Sequence, residues 1–190
     1  MRLSRLLRSE DARRTLDLTL RLTQRSVSSE FKGTALGRLW SFINPLATIA
    51  IFALIFGVVF RNGVPPGRNS GIDSFALWIG IGVLSWTFFS SGIMASMNAL
   101  VNNSGLLTKV YFPRQVLIYS AVLSLAVDFA FELLVLIIIA MILGGPGVLA
   151  MIPALLVVTL LVGMFAVGLG LMLSIATVYF RDLGHLWQIF

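Results

Sequence analysis

The sequence contains no cysteine and only one histidine, His185, and these scarcities exclude several kinds of site. Without cysteine there can be no disulfide, no thiolate zinc site and no cysteine nucleophile. A single imidazole cannot form a histidine metal cluster within one chain. The glycine-rich phosphate loop, the nucleophile elbow and the zinc-ligand helix pair are also missing. We therefore expect no catalytic residue, no metal and no cofactor in this chain.

Charged residues are also scarce, since they make up 12% of the 190 residues while 58% are hydrophobic. A water-soluble globule of this size needs far more polar surface. Lys and Arg outnumber Asp and Glu by fourteen to eight, and nine of these fourteen bases precede Trp40. A basic segment beside apolar runs favours an anionic membrane surface over a nucleic acid.

Four apolar stretches are long enough to cross a bilayer, at about residues 40–60, 75–97, 116–143 and 148–178. Asn44-Pro45 lies in the first turns of the first stretch and predicts a helix start or a mild kink. Glycines and a proline at 144–147 predict a tight hairpin between the third and fourth spans. Residues 183–190 are again apolar and are interpreted as the start of a further, truncated span. The fold class is therefore an all-α polytopic transmembrane bundle, with residues 1–190 as one domain.

Residues 1–38 are expected to form a cytoplasmic amphipathic segment. Leu3, Leu6 and Leu7 have helical spacing with arginines between them, which predicts an interfacial helix. Leucines alternate with period two over residues 16–22, so periodicity alone also permits a short strand there. We favour a helix.

The distribution of basic residues predicts the orientation. With the N-terminus inside, the cytoplasmic segments hold twelve bases, and the external loops hold only Arg61 and Arg68. This asymmetry places the N-terminus, the 102–114 loop and Arg181 in the cytoplasm. We expect a multi-pass protein of the cytoplasmic (inner) membrane.

Two carboxylates, Asp128 and Glu132, lie near the middle of the third span with i, i+4 spacing. Each ionised acid at that depth costs about 2.5–3.5 kcal/mol on insertion scales. The pair is interpreted either as a proton or substrate site, or as a pair turned to the bundle interior and hydrogen-bonded to Ser, Thr or Asn. The second interpretation is favoured because no intramembrane Lys, Arg or His accompanies the acids.

The loop between the second and third spans carries an apolar helical face. Cap and turn residues occupy 102–105, Leu106, Leu107 and Val110 then share a face, and Pro113 ends the run. Such a face is either a docking knob for a soluble partner or a turn lying on lipid headgroups. The residues alone leave these alternatives open.

Tryptophans and tyrosines lie mostly toward the span ends, as expected of a lipid-interface belt. Aromatic residues clustered in the chain could instead line a sugar path by stacking, and the candidates are Phe42, Trp86, Phe88 and Phe89. Ala166 and Gly170 form a small-xxx-small pair, which we interpret as packing within the chain rather than a dimer seam.

Three segments carry a family resemblance in order along nearly the whole chain. They are residues 31–46 (FKGTALGRLWSFINPL), residues 103–114 (NSGLLTKVYFPR) followed by Val127-Asp128-Phe129, and the pair 168–171 (GLGL) and 178–183 (VYFRDL). The chain resembles the membrane permease subunit of ABC exporters for cell-surface polysaccharides, such as O-antigen, capsule and teichoic acid.

The resemblance implies the partners. Two permeases, a homodimer, would work with two ATPase subunits that bind ATP and Mg, and the glycan path would lie between the permeases. The loop at 101–114 would be the coupling helix that seats in the ATPase. Its candidate contact residues are Leu106, Leu107, Lys109, Val110, Tyr111, Phe112 and Arg114. The family continues through further spans beyond the stretch that corresponds to Phe190, and Glu132 occupies a position expected to be apolar.

Two other functions are compatible with the residues. A proton-coupled secondary carrier would use Asp128 and Glu132, and its transport would follow a pH gradient and ignore ATP. A non-transporting membrane assembly subunit would need no transport path. The resemblance favours the permease of an ATP-driven glycan exporter, which is a transport subunit rather than an enzyme.

Overall fold

A computed structural model describes residues 2–30, 36–59, 74–107 and 113–189, and all regular elements within these ranges are helical. The α-helices are α1 (Arg2–Glu30), α2 (Trp40–Phe52), α3 (Phe75–Asn102), α4 (Ser104–Leu107), α5 (Gln115–Gly144), α6 (Ile152–Tyr179) and α7 (Leu183–Trp187). A π-helical segment, Ala53–Val59, extends α2, and short 3₁₀ turns cover Gly37–Leu39 and Pro146–Met151. The all-α class is confirmed.

Four helical segments are long and apolar enough to cross a membrane, and they are Phe42–Val59, Leu77–Asn102, Gln115–Gly144 and Pro146–Tyr179. Their outer faces carry large apolar side chains without cover. On α6, for example, Leu160 is 63% exposed and Met164 is 66% exposed. Exposed apolar surface of this extent marks a lipid-facing protein. The polytopic transmembrane fold is confirmed.

Helix α1 runs without a break through residues 16–22, so the strand alternative there is wrong. Its buried side is formed by Thr19 and Thr23, whereas Leu16 is 61% exposed and Leu20 is 49% exposed. Each threonine hydroxyl donates a hydrogen bond to the backbone carbonyl one turn earlier. Thr19 and Thr23 therefore pack inward with their hydroxyl groups hydrogen-bonded. Leu16 and Leu20 point outward and can contact a membrane or another protein.

The second span was expected to end near residue 97. Helix α3 continues five residues further and ends at Asn102. The Asn98 side-chain amide donates to the Met94 carbonyl at 3.1 Å, and the Asn103 amide donates to the Ala99 carbonyl at 2.8 Å. The Asn103 side chain therefore bonds back to the last turns of α3. Helix α4 covers Ser104–Leu107, and residues 108–112 of the helix expected at 101–114 lie outside the described residues.

The hairpin between α5 and α6 lies at the glycine- and proline-containing segment 144–147, as the sequence predicts. Gly145 adopts φ 72°, the left-handed region that favours glycine, and its N–H donates to the Met141 carbonyl at 2.9 Å. Pro146 then begins the 3₁₀ turn that leads into α6. The chain reverses between two spans within a few residues.

The chain divides into two compact units. The first comprises Met1–Glu30, Ser90–Leu125 and Gly163–Phe190, and the second comprises Phe31–Phe89 and Ala126–Val162. The core of the first unit contains the cluster of Ala99, Leu117 and Ile118, with side chains of α1, α3, α5 and α6 packed around it. The second unit contains the candidate carboxylates and aromatic residues.

Helices α3 and α6 approach closely in the first unit. The side chains of Ser96 and Ala166 are fully buried, and Gly170 faces Ser96. A Cβ atom added at Gly170 would lie 2.5 Å from the Cβ of Ser96, and one added at Gly92 would lie 3.5 Å from the Cβ of Ala166. The small residues of α6 therefore pack within the chain, and only glycine fits at position 170.

We expect Gly170→Ala to lower the free energy of unfolding by about 1–3 kcal/mol, because the added methyl group forces α3 and α6 apart. The matched control is Gly168→Ala on the same helix, where an added Cβ meets nothing within 4 Å. Thermal unfolding of the purified proteins in mild detergent measures the difference. Equal midpoints for the two variants would contradict the close approach.

Candidate functional site

The loop after α3 contains the residues expected to contact a soluble partner. Leu106 and Leu107 lie in helix α4, at the end of the described range 74–107. Four further candidates lie outside the described residues, and they are Lys109, Val110, Tyr111 and Phe112. The loop joins the end of one span directly to the start of the next.

Pro113 and Arg114 form the turn that begins α5. The N–H of Val116 donates to the Pro113 carbonyl at 3.1 Å, and the N–H of Leu117 donates to the Arg114 carbonyl at 3.2 Å. Arg114 is exposed beside this turn. A cation at this position is open to an acidic partner surface or to lipid phosphate.

The two carboxylates are half-buried on consecutive turns of α5 in the second unit. Neither lies on the outer face of that helix, where Leu134 is 47% exposed and Ile138 is 49% exposed. Asp128 and Glu132 therefore lie away from the side of α5 that carries Leu134 and Ile138. Among the described residues, no group of three His, Asp or Glu side chains is placed to hold a metal ion.

The four candidate aromatic residues of the sugar path form three separate ring pairs. Phe88 is buried and stacks on Phe129 with ring centroids 4.6 Å apart. Phe42 meets Phe131 edge to face at 5.6 Å. Trp86 and Phe89 are 5.9 Å apart with tilted rings, and Trp86 is 51% exposed. Of the four, Trp86 has the most accessible ring, whereas Phe88 belongs largely to the core.

Sequence reasoning missed an apolar groove of about 540 Å³ in the second unit. It lies between α3, α5 and the start of α6, and its lining includes Ser74, Phe88, Phe129, Ala140, Met151 and Val162. The lining residues are ordinary apolar span residues. No sequence pattern distinguishes them from the lipid-facing positions, because the groove depends on how three helices pack.

A second depression of about 600 Å³ lies on the outer face of α3 and was also missed. Trp78 and Trp86 stand at its two ends, Gly82 lies between them, and Phe52 contributes from α2. The spacing of Trp, Gly and Trp at i, i+4 and i+8 places them along one helical side. That spacing is the signal that could have revealed the depression from sequence.

A family model described as ABC-2 type transporter matches residues 17–190. An O-antigen export system permease protein RfbA from Myxococcus xanthus is 32% identical over 171 residues, which cover 89% of this chain and 62% of that protein. Two proteins of the same name from Klebsiella pneumoniae are 25% and 26% identical over 167 residues, covering 88% of this chain and 61% of each. The chain thus spans about three fifths of the length of these relatives.

The residues that match the family model contain all the membrane-spanning helices that the structure describes. The match begins within α1 and includes all four spans and the loop between α3 and α5. The chain belongs to the ABC-2 type transporter family.

Proposed function

We propose that this chain is part of the membrane permease of an ATP-driven exporter that moves a polysaccharide or lipid-linked glycan across the cytoplasmic membrane. The family match over residues 17–190 carries this proposal. The relatives named as O-antigen export permeases support the substrate class. The sequence also supports the proposal. It has four spans and no ATP-binding motif, which fits a transport subunit that is driven by ATP hydrolysis in a partner subunit.

The working unit would contain two permeases and two ATPase subunits, with ATP and Mg held by the ATPases. The glycan path would lie between the permeases, and the substrate would be an O-antigen, a capsular polysaccharide or a teichoic acid. The permease itself forms and breaks no bond. Its task is to bind, orient and move the substrate.

Coupling would run through the loop between α3 and α5. Because the loop connects Asn102 to Gln115, a push on α4 acts on the ends of two spans at once. Closure of the ATPase dimer on ATP would supply that push, and the spans would shift as rigid bodies. The exposed Arg114 would add a charged contact at the same surface.

Helix α1 would lie along the cytoplasmic membrane face. Its exposed Leu16 and Leu20 would enter the headgroup boundary, while exposed arginines such as Arg13 and Arg25 would meet anionic lipid. The twelve-to-two distribution of basic residues supports the cytoplasmic orientation. The protein would therefore lie in the cytoplasmic (inner) membrane.

We expect Leu107→Asp to weaken binding of the ATPase subunit by about tenfold or more, because a carboxylate replaces an apolar contact at the docking surface. Ser104→Asp, which adds the same charge to the same short helix, is the control and should bind normally. Co-purification of the ATPase with each tagged variant measures the effect. Normal ATPase recovery with Leu107→Asp would contradict the assignment of α4 as the coupling element.

Asp128 and Glu132 would serve the structure of the bundle rather than a proton relay. The double variant Asp128→Asn, Glu132→Gln keeps the size and hydrogen-bonding capacity of both side chains, so we expect export to continue near the wild-type rate. Export should also persist when the proton gradient is collapsed and ATP is maintained. Loss of export in the double variant would favour the carrier mechanism instead.

The direct test of the proposed function is deletion of the gene in its own host. We expect surface polysaccharide to disappear while glycan accumulates inside the cell, and the complete wild-type gene to restore the surface glycan. Immunoblotting of the whole-cell and surface glycan fractions measures both pools. Unchanged surface glycan in the deletion strain would reject the export function.

A further inference from the structure

The apolar groove between α3, α5 and the start of α6 lies in one half of the membrane-spanning region. Its walls come from residues 77–88 of α3, residues 129–140 of α5 and residues 148–162, which include the 3₁₀ turn and the first part of α6. The stretches from α5 and α6 are the halves of these spans that adjoin the hairpin. The groove therefore runs from the hairpin side toward the middle of the spans.

The length of the groove matches the depth of one lipid leaflet. Residues 77–88 rise about 16 Å along α3, and residues 129–140 rise about 16 Å along α5. The hydrocarbon core of a bilayer is about 30 Å thick, so the chains of one leaflet occupy about 15 Å. A hydrocarbon chain that enters at the headgroup level thus reaches the end of the groove at the bilayer midplane.

Two stacked phenylalanine rings close the deep end of the groove. Phe88 is the fourteenth of the 28 residues of α3, and Phe129 is the fifteenth of the 30 residues of α5. Both side chains are buried, and their ring centroids lie 4.6 Å apart with the planes 8° from parallel. The closed end leaves no room for a chain much longer than one leaflet.

The walls of the groove offer few hydrogen bonds. Ser74, Ser85 and Thr159 are the hydroxyl side chains among the described residues that line it, and none of those residues is charged. The Thr159 hydroxyl donates to the Leu155 carbonyl of its own helix at 2.9 Å. A charged or polyhydroxylated ligand would lose its water here without adequate replacement, whereas an alkyl chain loses nothing.

The groove is continuous with the lipid-facing surface of the spans. Trp78, Met151 and Val158 line the groove and are also exposed apolar residues of that surface. Bilayer hydrocarbon therefore has direct access to the groove. Apolar cavities stay free of water, and an empty groove would forfeit the dispersion contacts of its walls.

We propose that the groove binds one acyl chain of a bilayer phospholipid, with the ester end near Ser74 and the terminal methyl group against the stacked pair of Phe88 and Phe129. The volume of about 540 Å³ is in the range of sites that accept a small ligand. The closed deep end favours an acyl chain, which spans one leaflet, over a longer carrier lipid of a glycan. The lipid would act as a structural ligand that fills the space between three helices, and this role is independent of the exported substrate.

A photoactivatable phospholipid tests the proposal. The complete permease with its ATPase is purified from membranes that contain phosphatidylethanolamine with a diazirine in one acyl chain. Detergent exchange removes loosely held lipid before irradiation, and mass spectrometry of the peptides locates the adducts. We expect adducts within residues 133–140 of α5 and residues 151–158 at the start of α6.

Two variants fill the groove from different walls. Ala140 lines it from α5 and Ala154 lines it from α6, so Ala140→Trp and Ala154→Trp each place an indole in the space for the chain. We expect each variant to reduce the adduct yield about tenfold, because the indole displaces several carbon atoms of the chain. The matched control is Ala130→Trp, at an exposed alanine of α5 outside the groove, which should give the wild-type yield.

Thermal unfolding distinguishes loss of lipid binding from failure to fold. Addition of dioleoylphosphatidylethanolamine to the delipidated complex should raise the unfolding midpoint of wild type and of Ala130→Trp, since a ligand of the folded state stabilises it. The two filled variants should unfold cooperatively, retain the ATPase and show no rise.

Three results would overturn the proposal. Wild-type protein without adducts would show that the rest of the protein or a second copy fills the groove. Equal adduct yields in wild type and in the filled variants would place the lipid elsewhere on the surface. A glycan carrier lipid in place of phospholipid, in the organic extract of the washed complex, would reject the acyl chain.

Discussion

A hydrocarbon core offers no hydrogen bonds, and this constraint decides where the polar side chains of the spans lie. In the first unit the buried hydroxyls donate to backbone carbonyls of their own helices, as Ser96 does to Gly92 at 2.7 Å and Ser174 to Leu171 at 2.9 Å. A self-satisfied hydroxyl occupies little more space than a methyl group. The helices can therefore approach closely, and Gly170 meets Ser96 with no room for a side chain between them.

The same constraint separates the roles of the tryptophans. Trp187 satisfies its indole within the chain, and Trp40 stands at the start of the first span, where an interfacial side chain is expected. Trp78 and Trp86 are exposed along one side of α3 with their indole donors directed to no described acceptor.

The features that could be predicted from the sequence are those that depend on residues close together in the chain. Hydropathy located the spans, and the glycine-rich segment at 144–147 located the hairpin that Gly145 closes with a left-handed φ. Features that depend on several helices were not predictable. The contact of Thr23 with the Ser120 carbonyl, the pairing of Phe88 with Phe129 and the groove beside α6 join residues far apart in sequence. Helix α3 extends to Asn102, beyond the span end expected near residue 97, and the Asn103 side chain bonds back to the Ala99 carbonyl.

The assignment to an ATP-driven exporter is tested most directly by purifying the tagged protein from its own host in mild detergent. We expect an ATPase subunit to co-purify in equimolar amount, and the complex to hydrolyse ATP that the permease alone does not. Purification of the permease without an ATPase, under conditions that preserve its fold, would contradict the assignment.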